Sequence, residues 1–170
     1  MMKFVPFSPK QLRVLTWWRP RSPDCRRDAI LCDGAVRSGK TLCLSLSFVM
    51  WATQCFSGMD FALCGKTILS LQRNLLEPLL PVLRGMGYTC RYQAGQRRLT
   101  VSRGAVSNRF ILFGGRDAGS ASLIQGITLA GVLLDEAALM PRSFVEQALA
   151  RCSVPGSRYW FSCNPEHPFH

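Results

Sequence analysis

The 170-residue sequence predicts an α/β fold with a mainly parallel central sheet covered by helices on both faces. Two observations point there. Short apolar runs bounded by Gly, Asp or Asn-Pro alternate with longer segments whose apolar residues recur at helical spacing. One run, "LAGVLLDEA" (129–137), is apolar at successive positions and not at alternate ones, as in a strand buried on both faces.

The elements follow in order. "SPKQLRVLTWW" (8–18) reads as a short helix with Ser8 as N-cap and Pro9 in the first turn. "RPRSPDCRRD" (19–28) is a Pro- and Arg-rich loop, and "AILCDGA" (29–35) a buried strand ending at Gly34. Residues 41–56, "TLCLSLSFVMWATQCF", form a helix. Its apolar length falls short of a bilayer, and its Ser, Thr and Gln suit a helix buried on most sides of an α/β core. "DFALCGKT" (60–67) is a second apolar strand. Residues 68–87 read as a helix interrupted at Pro78 and Pro81.

The middle of the chain departs from the alternation. "RRLTVSR" (97–103) and "RFILFGG" (109–115) predict an antiparallel hairpin turning at 104–108. Residues 116–128 are Gly/Ser-rich with a short helical piece. The 129–137 strand, a helix at 141–152 beginning with Pro, and a strand at 158–165 closed by Asn-Pro complete the order. No internal repeat, low-complexity tract or linker divides the chain, so one domain over 1–170 is expected.

Composition narrows the function. Apolar residues make up 48% and charged residues 18%, a globular and not a disordered balance. The net charge of +11 is carried mostly by arginine, since only four of the 21 basic residues are lysine. Guanidinium forks suit phosphate, so a polyanion partner is expected. The opening "MMKFVPFSPKQ" lacks the apolar core of a secretory signal, and the eight cysteines include no C-x-x-C pair. Reduced thiols in a cytoplasmic setting, with no zinc site and no membrane span, are the expectation. Trp17, Trp18, Trp51 and Trp160 are expected in the core, and His167 and His170 carry no role.

"DGAVRSGKT" (33–41) fits G-x-x-x-x-G-K-[ST], with Gly34, Gly39, Lys40 and Thr41 at the fixed positions. Phosphate oxygens need a tightly curled loop of inward backbone N–H groups opening a helix, which glycine permits. Ala35, Val36, Arg37 and Ser38 complete that loop. Lys40 would reach the β and γ phosphates of ATP, and Thr41 would ligate Mg2+. Arg37 is placed to stabilise charge developing at the transferred phosphate. The loop follows an apolar strand and precedes an apolar helix, the setting the motif requires.

In "GVLLDEA" a hydrophobic strand delivers Asp135 to the magnesium shell, in the manner of a Walker B motif, with Glu136 next to it to deprotonate water. At the end of another strand, Ser162 or Asn164 in "FSCNP" would sense the γ phosphate. Arg73, Arg116, Arg151 and Arg158 are candidates to act across a subunit interface. Arg26, Arg27, Arg97 and Arg98 read as solvated or DNA-facing.

With these residues in hand, the chain resembles the N-terminal ATPase domain of phage terminase large subunits. The likeness rests on "FSPKQ", "DGAVRSGKT", "LIQGITLAGVLLDEAALMP", "RCSVPGSRYWFSCNP" and "HPFH", spread over almost the whole sequence. The resemblance implies a RecA-like P-loop NTPase of the ASCE type, with ATP and Mg2+ as cofactors and double-stranded DNA as the cargo. It further implies a portal protein and a small terminase subunit as partners, a homo-oligomeric ring, and action in the bacterial cytoplasm. Gln11 is similar to the family's adenine-contacting glutamine, and Arg37 resembles its loop arginine. Asp135 would hold magnesium, Glu136 would be the catalytic base, and Ser162, Cys163 and Asn164 resemble the coupling motif. The family's nuclease carboxylate cluster has no counterpart before His170, so DNA cleavage is not expected of these residues and the ATPase domain is expected to be incomplete at its C-terminal end. Two other readings stay open at this point: a helicase-like or clamp-loader-like P-loop ATPase acting on nucleic acid, and a truncated terminase remnant without turnover.

Overall fold

The computed structural model describes residues 6–34 and 39–164. Seven strands form one sheet in the order β1-β7-β6-β2-β5-β4-β3. These are β1 (Ala29–Asp33), β2 (Asp60–Gly65), β3 (Thr89–Gln93), β4 (Arg98–Arg103), β5 (Val106–Gly114), β6 (Gly131–Leu134) and β7 (Arg158–Cys163). The first five in that order pair in parallel, whereas β4 and β3 pair antiparallel and extend the sheet on one side. The expected α/β class holds, with the β excursion larger by one strand than the hairpin read from sequence.

The helices are α1 (Pro9–Thr16), α2 (Lys40–Cys55), α3 (Ile68–Leu71), α4 (Glu77–Gly85), α5 (Ala118–Gln125) and α6 (Arg142–Ala150). Ser8 caps α1 in a reciprocal box: its hydroxyl accepts from Gln11 N, and its own N–H donates to Gln11 Oε1. The long helix α2 lies buried along most of its length, as its all-round apolar sequence requires.

One face of the sheet packs on α1, α2 and α4 through a core rich in aromatic rings. Trp160 meets Trp51 at 4.7 Å, Trp17 at 4.9 Å and Phe48 at 5.0 Å, and Phe61 stacks on Phe110 at 5.1 Å. All four tryptophans are buried, as expected. A second core, with Phe113, Ile124, Leu134 and Phe144, lies under α5 and α6 on the other face. Ser47 of α2 ties the first core together: its hydroxyl donates to Val14 O at 2.7 Å and accepts from Trp160 Nε1 at 3.1 Å. That pair of bonds fixes α1 against α2 and β7.

Two expectations need correction. The strand read as buried, β1, is an edge of the described sheet, and Leu31 is 63% exposed. Its apolar composition mimics a two-sided strand, but only β7 flanks it. The prolines do not interrupt the helix at 68–87. Instead a π turn, Gln72–Leu76, joins α3 to α4. It lies where the ring of Pro78 would otherwise meet the carbonyl of Asn74, and Pro78 then occupies the first turn of α4.

Candidate nucleotide-binding site

In a parallel sheet, all strands deliver their last residues to one edge. Here β1 ends at Asp33, β7 at Cys163 and β6 at Leu134, with β7 between the other two. This order brings Gly34, Asn164 and Asp135-Glu136 together. Asp135 bonds to Thr41 across 94 residues of sequence, and Asn164 to Lys40 across 124.

Two strings of hydrogen bonds run through the site. In the first, Asp135 Oδ1 accepts from Ser162 Oγ at 2.6 Å and from Thr41 Oγ1 at 3.3 Å, while Ser162 Oγ accepts from Glu136 N at 2.9 Å. Asp135 and Ser162 are both buried, so each bond satisfies a group that water does not reach. In the second, the Lys40 ammonium donates to Gly34 O at 2.8 Å, Cys163 O at 2.7 Å and Asn164 Oδ1 at 2.5 Å. Asn164 Nδ2 in turn donates to Glu136 Oε1 at 3.3 Å.

Backbone conformation sharpens this geometry. Gly39 opens α2 with φ +71°, in the left-handed region that glycine enters without steric cost. Glu136 sits at φ 54°, ψ 53°, also left-handed, which costs a residue with a Cβ about 1–2 kcal/mol. The turn swings its carboxylate off the line of β6 and toward Asn164.

Beside the loop, between α1, α2 and β1, lies a cavity of about 420 Å3 lined in part by Ser8, Gln11, Val14, Gly34, Lys40 and Cys43. Gln11 stands close to Gly39, since a Cβ added there would lie 3.3 Å from Gln11 Nε2. The capping box holds Gln11 Oε1 on Ser8 N and orients that amide. Cys32, also on the cavity wall, has its thiol pushed up to about 11 by burial, against the opposing pull of Lys40. Burial likewise raises Cys43. Both stay neutral thiols, consistent with an apolar wall.

The residues expected at the site therefore converge where they are described: Gln11, Gly34, Gly39, Lys40, Thr41, Asp135, Glu136, Ser162, Cys163 and Asn164. Cys163 takes part through its carbonyl and not its thiol. Ala35, Val36, Arg37 and Ser38 lie outside the described residues, as do His167 and His170. Arg158 begins β7, at the end away from the site; its Nη2 donates to Cys25 O at 2.8 Å and its guanidinium lies over Trp17. It fastens the 19–28 loop to the sheet. Arg151 is likewise at the far edge, its carbonyl accepting from Leu129 N just before β6. Sequence reasoning missed Val14, Cys43 and the pairing of Ser8 with Gln11; the S-x-x-Q pattern of a capping box was the available signal for the last.

Thr41 Oγ1 and the Asp135 carboxylate form an oxygen-only donor set, with the Ser162 hydroxyl holding Asp135 from behind. That chemistry fits Mg2+, which takes few protein ligands and completes its shell with phosphate and water.

No family model and no curated protein sequence matches the chain. Among solved structures, it matches the large terminase from a thermophilic bacteriophage at 52% identity and a TM-score of 0.95, over 98% of this chain and 41% of that one. The same phage's large terminase in complex with ATP-γ-S matches at 50% identity and a TM-score of 0.90, over 97% of this chain and 40% of that one. The large terminase ATPase domain of Thermus phage P74-26 matches at 20% identity and a TM-score of 0.66, over 94% and 65% of the two chains, and shares the fold. The chain thus spans about two fifths of the length of the thermophilic-phage proteins. Half of its residues are identical to theirs over nearly its entire length, and the chain belongs to the phage large terminase family, with the α/β fold that the Thermus phage ATPase domain shares.

Proposed function

We propose that this chain binds and hydrolyses ATP as the motor domain of a phage large terminase that drives double-stranded DNA into procapsids. The convergence of Lys40, Thr41, Asp135, Glu136 and Asn164 at the ends of β1, β6 and β7 carries this reading. Support also comes from the thermophilic-phage relative, whose structure holds ATP-γ-S.

In this scheme the loop N–H groups from Gly34 to Thr41 and the Lys40 ammonium hold the β and γ phosphates. Gln11 and the neighbouring cavity take the adenine end. Thr41 and Asp135 would hold Mg2+, which when bound neutralises phosphate charge. Glu136 accepts a proton from water as its oxygen bonds to the γ phosphorus and the bond to the β-phosphate oxygen breaks, releasing ADP and phosphate. Arg37 stabilises the charge that develops at that phosphorus. Ser162, Cys163 and Asn164 couple hydrolysis to movement. The partners in this reading are a portal protein, a small terminase subunit and further copies of the chain in a ring.

The experiment compares wild type with Lys40→Ala and Glu136→Gln. Wild type binds ATP and releases phosphate. Lys40→Ala loses affinity by more than about tenfold, because a desolvated ammonium–phosphate contact is lost. Glu136→Gln keeps binding and loses turnover by about 100-fold or more. Equal ATP affinity in wild type and Lys40→Ala overturns the reading.

A further inference from the structure

The positive charge of this chain is not evenly spread. Between Glu77 and Asp117 there are seven arginines (84, 91, 97, 98, 103, 109 and 116), no lysine and no carboxylate. Most of this segment is the antiparallel part of the sheet, β3, β4 and β5.

Strand alternation sorts these residues onto two faces. Leu99, Val101 and Phe110 point into the core shared with α2 and are fully buried. Their neighbours point the other way, and the register aligns them in rows. Arg91 stands beside Thr100, which stands beside Arg109; Gln93 stands beside Arg98; Thr89 and Ser107 flank Ser102. Arg91 and Arg109 are exposed, and Arg98, Thr100 and Ser102 are half-buried. Of the helices on that side, α6 packs on β6 and α5 on β5, where Ile111 and Phe113, not Arg109, belong to their core. The result is a lattice of guanidinium and hydroxyl groups. Arg91 and Arg109 are two strand spacings apart, roughly 10 Å. In these rows the one carboxylate is Asp60 at the start of β2, paired to Arg109 at 2.5 Å.

We infer that this face, built on Arg91, Arg98 and Arg109, is a contact surface for the phosphate backbone of double-stranded DNA, separate from the nucleotide site. Solubility calls for mixed charge, not a one-signed field. Guanidinium and hydroxyl groups are the donors that duplex phosphates take, and such contacts carry no sequence preference. The choice of DNA over another polyanion rests on the proposed function, whereas the surface itself does not involve ATP.

The test measures binding of a random-sequence duplex of about 30 base pairs to the full chain over a range of salt, with ADP binding followed on the same preparations. The triple variant R91A/R98A/R109A binds the duplex more than about tenfold more weakly at low salt, and its log-affinity falls less steeply with log salt by about three. ADP affinity stays at the wild-type value. Because Arg109 loses its Asp60 partner in that variant, Arg91→Ala alone serves as a second reading, with a slope lower by about one. Asp60→Asn, which removes the carboxylate, tightens duplex binding. Unchanged affinity and slope in both arginine variants overturns the inference, as does competition by poly-glutamate as strong as that by unlabelled duplex. Duplex binding that responds to Arg91→Ala in a chain that binds no ADP sustains this surface and removes the ATPase reading instead.

Discussion

The Lys40 ammonium and the Asn164 side chain are joined at 2.5 Å, and the same carboxamide reaches Glu136 with its other end. One small side chain thus touches both the cation that would grip phosphate and the carboxylate that would activate water. A phosphate oxygen drawn to Lys40 competes with Asn164 Oδ1 for the same protons, and whatever shifts Asn164 shifts its hold on Glu136.

Asn164→Ala removes that link without removing either charged group. Its turnover is expected to fall about 10- to 100-fold, since loss of positioning alone is worth that much. ADP affinity stays within about threefold of wild type. Steady-state phosphate release beside equilibrium ADP binding separates the two. A matched loss in both would make Asn164 a part of binding and not of positioning.

Ser162→Ala leaves the buried Asp135 Oδ1 with Thr41 Oγ1 in place of two donors and takes the hydroxyl acceptor from the Glu136 N–H. Unsatisfied buried groups cost about 1–3 kcal/mol, so the melting temperature falls by roughly 3–10 °C for a chain of this size. Calorimetry checks this. Ser162→Thr, which keeps the hydroxyl, recovers part of the loss.

At Glu136 the backbone itself is testable. The left-handed conformation penalises any Cβ, so Glu136→Gly melts higher than Glu136→Ala, by about 1 kcal/mol or a few degrees. Neither variant turns over ATP. Equal melting temperatures would mean the turn relaxes when the carboxylate is gone.

Burial raises the thiol of Cys32 to about 11 and that of Cys152 to about 12, from an ordinary value of 9.0. The folded chain holds these protons at pH values where the unfolded chain has released them. Stability from this source is therefore complete below about pH 8, and it declines as pH climbs above about 9 toward the folded values. Urea midpoints at about pH 8 and about pH 10 should show the fall, and Cys152→Ala should make it shallower.

Much of the site was legible in the sequence because its chemistry demands fixed spacings. The loop from Gly34 to Thr41 and the Asp135-Glu136 pair announce themselves by residue type at the end of apolar strands. What could not be read is which strands stand side by side. That β7 lies between β1 and β6, and so sets Ser162 against Asp135, is a fact of sheet order. Strand β3 escaped notice because Thr89, Arg91 and Gln93 face water and only Cys90 and Tyr92 face the core. Five residues with so little apolar signal resemble a loop. The reading of β1 as buried failed for the converse reason, since "AILC" is apolar even though the strand has a neighbour on one side only.

That one-sided pairing has a mechanical meaning. Within the described sheet, β1 is laddered to β7 alone, five residues against five. The strand that leads into Gly34 therefore hangs from the strand that leads into Asn164, with no second strand of the described sheet beside it. A tilt of β7 is expected to carry Gly34 with it, since the ladder joins the two strands along the whole length of β1.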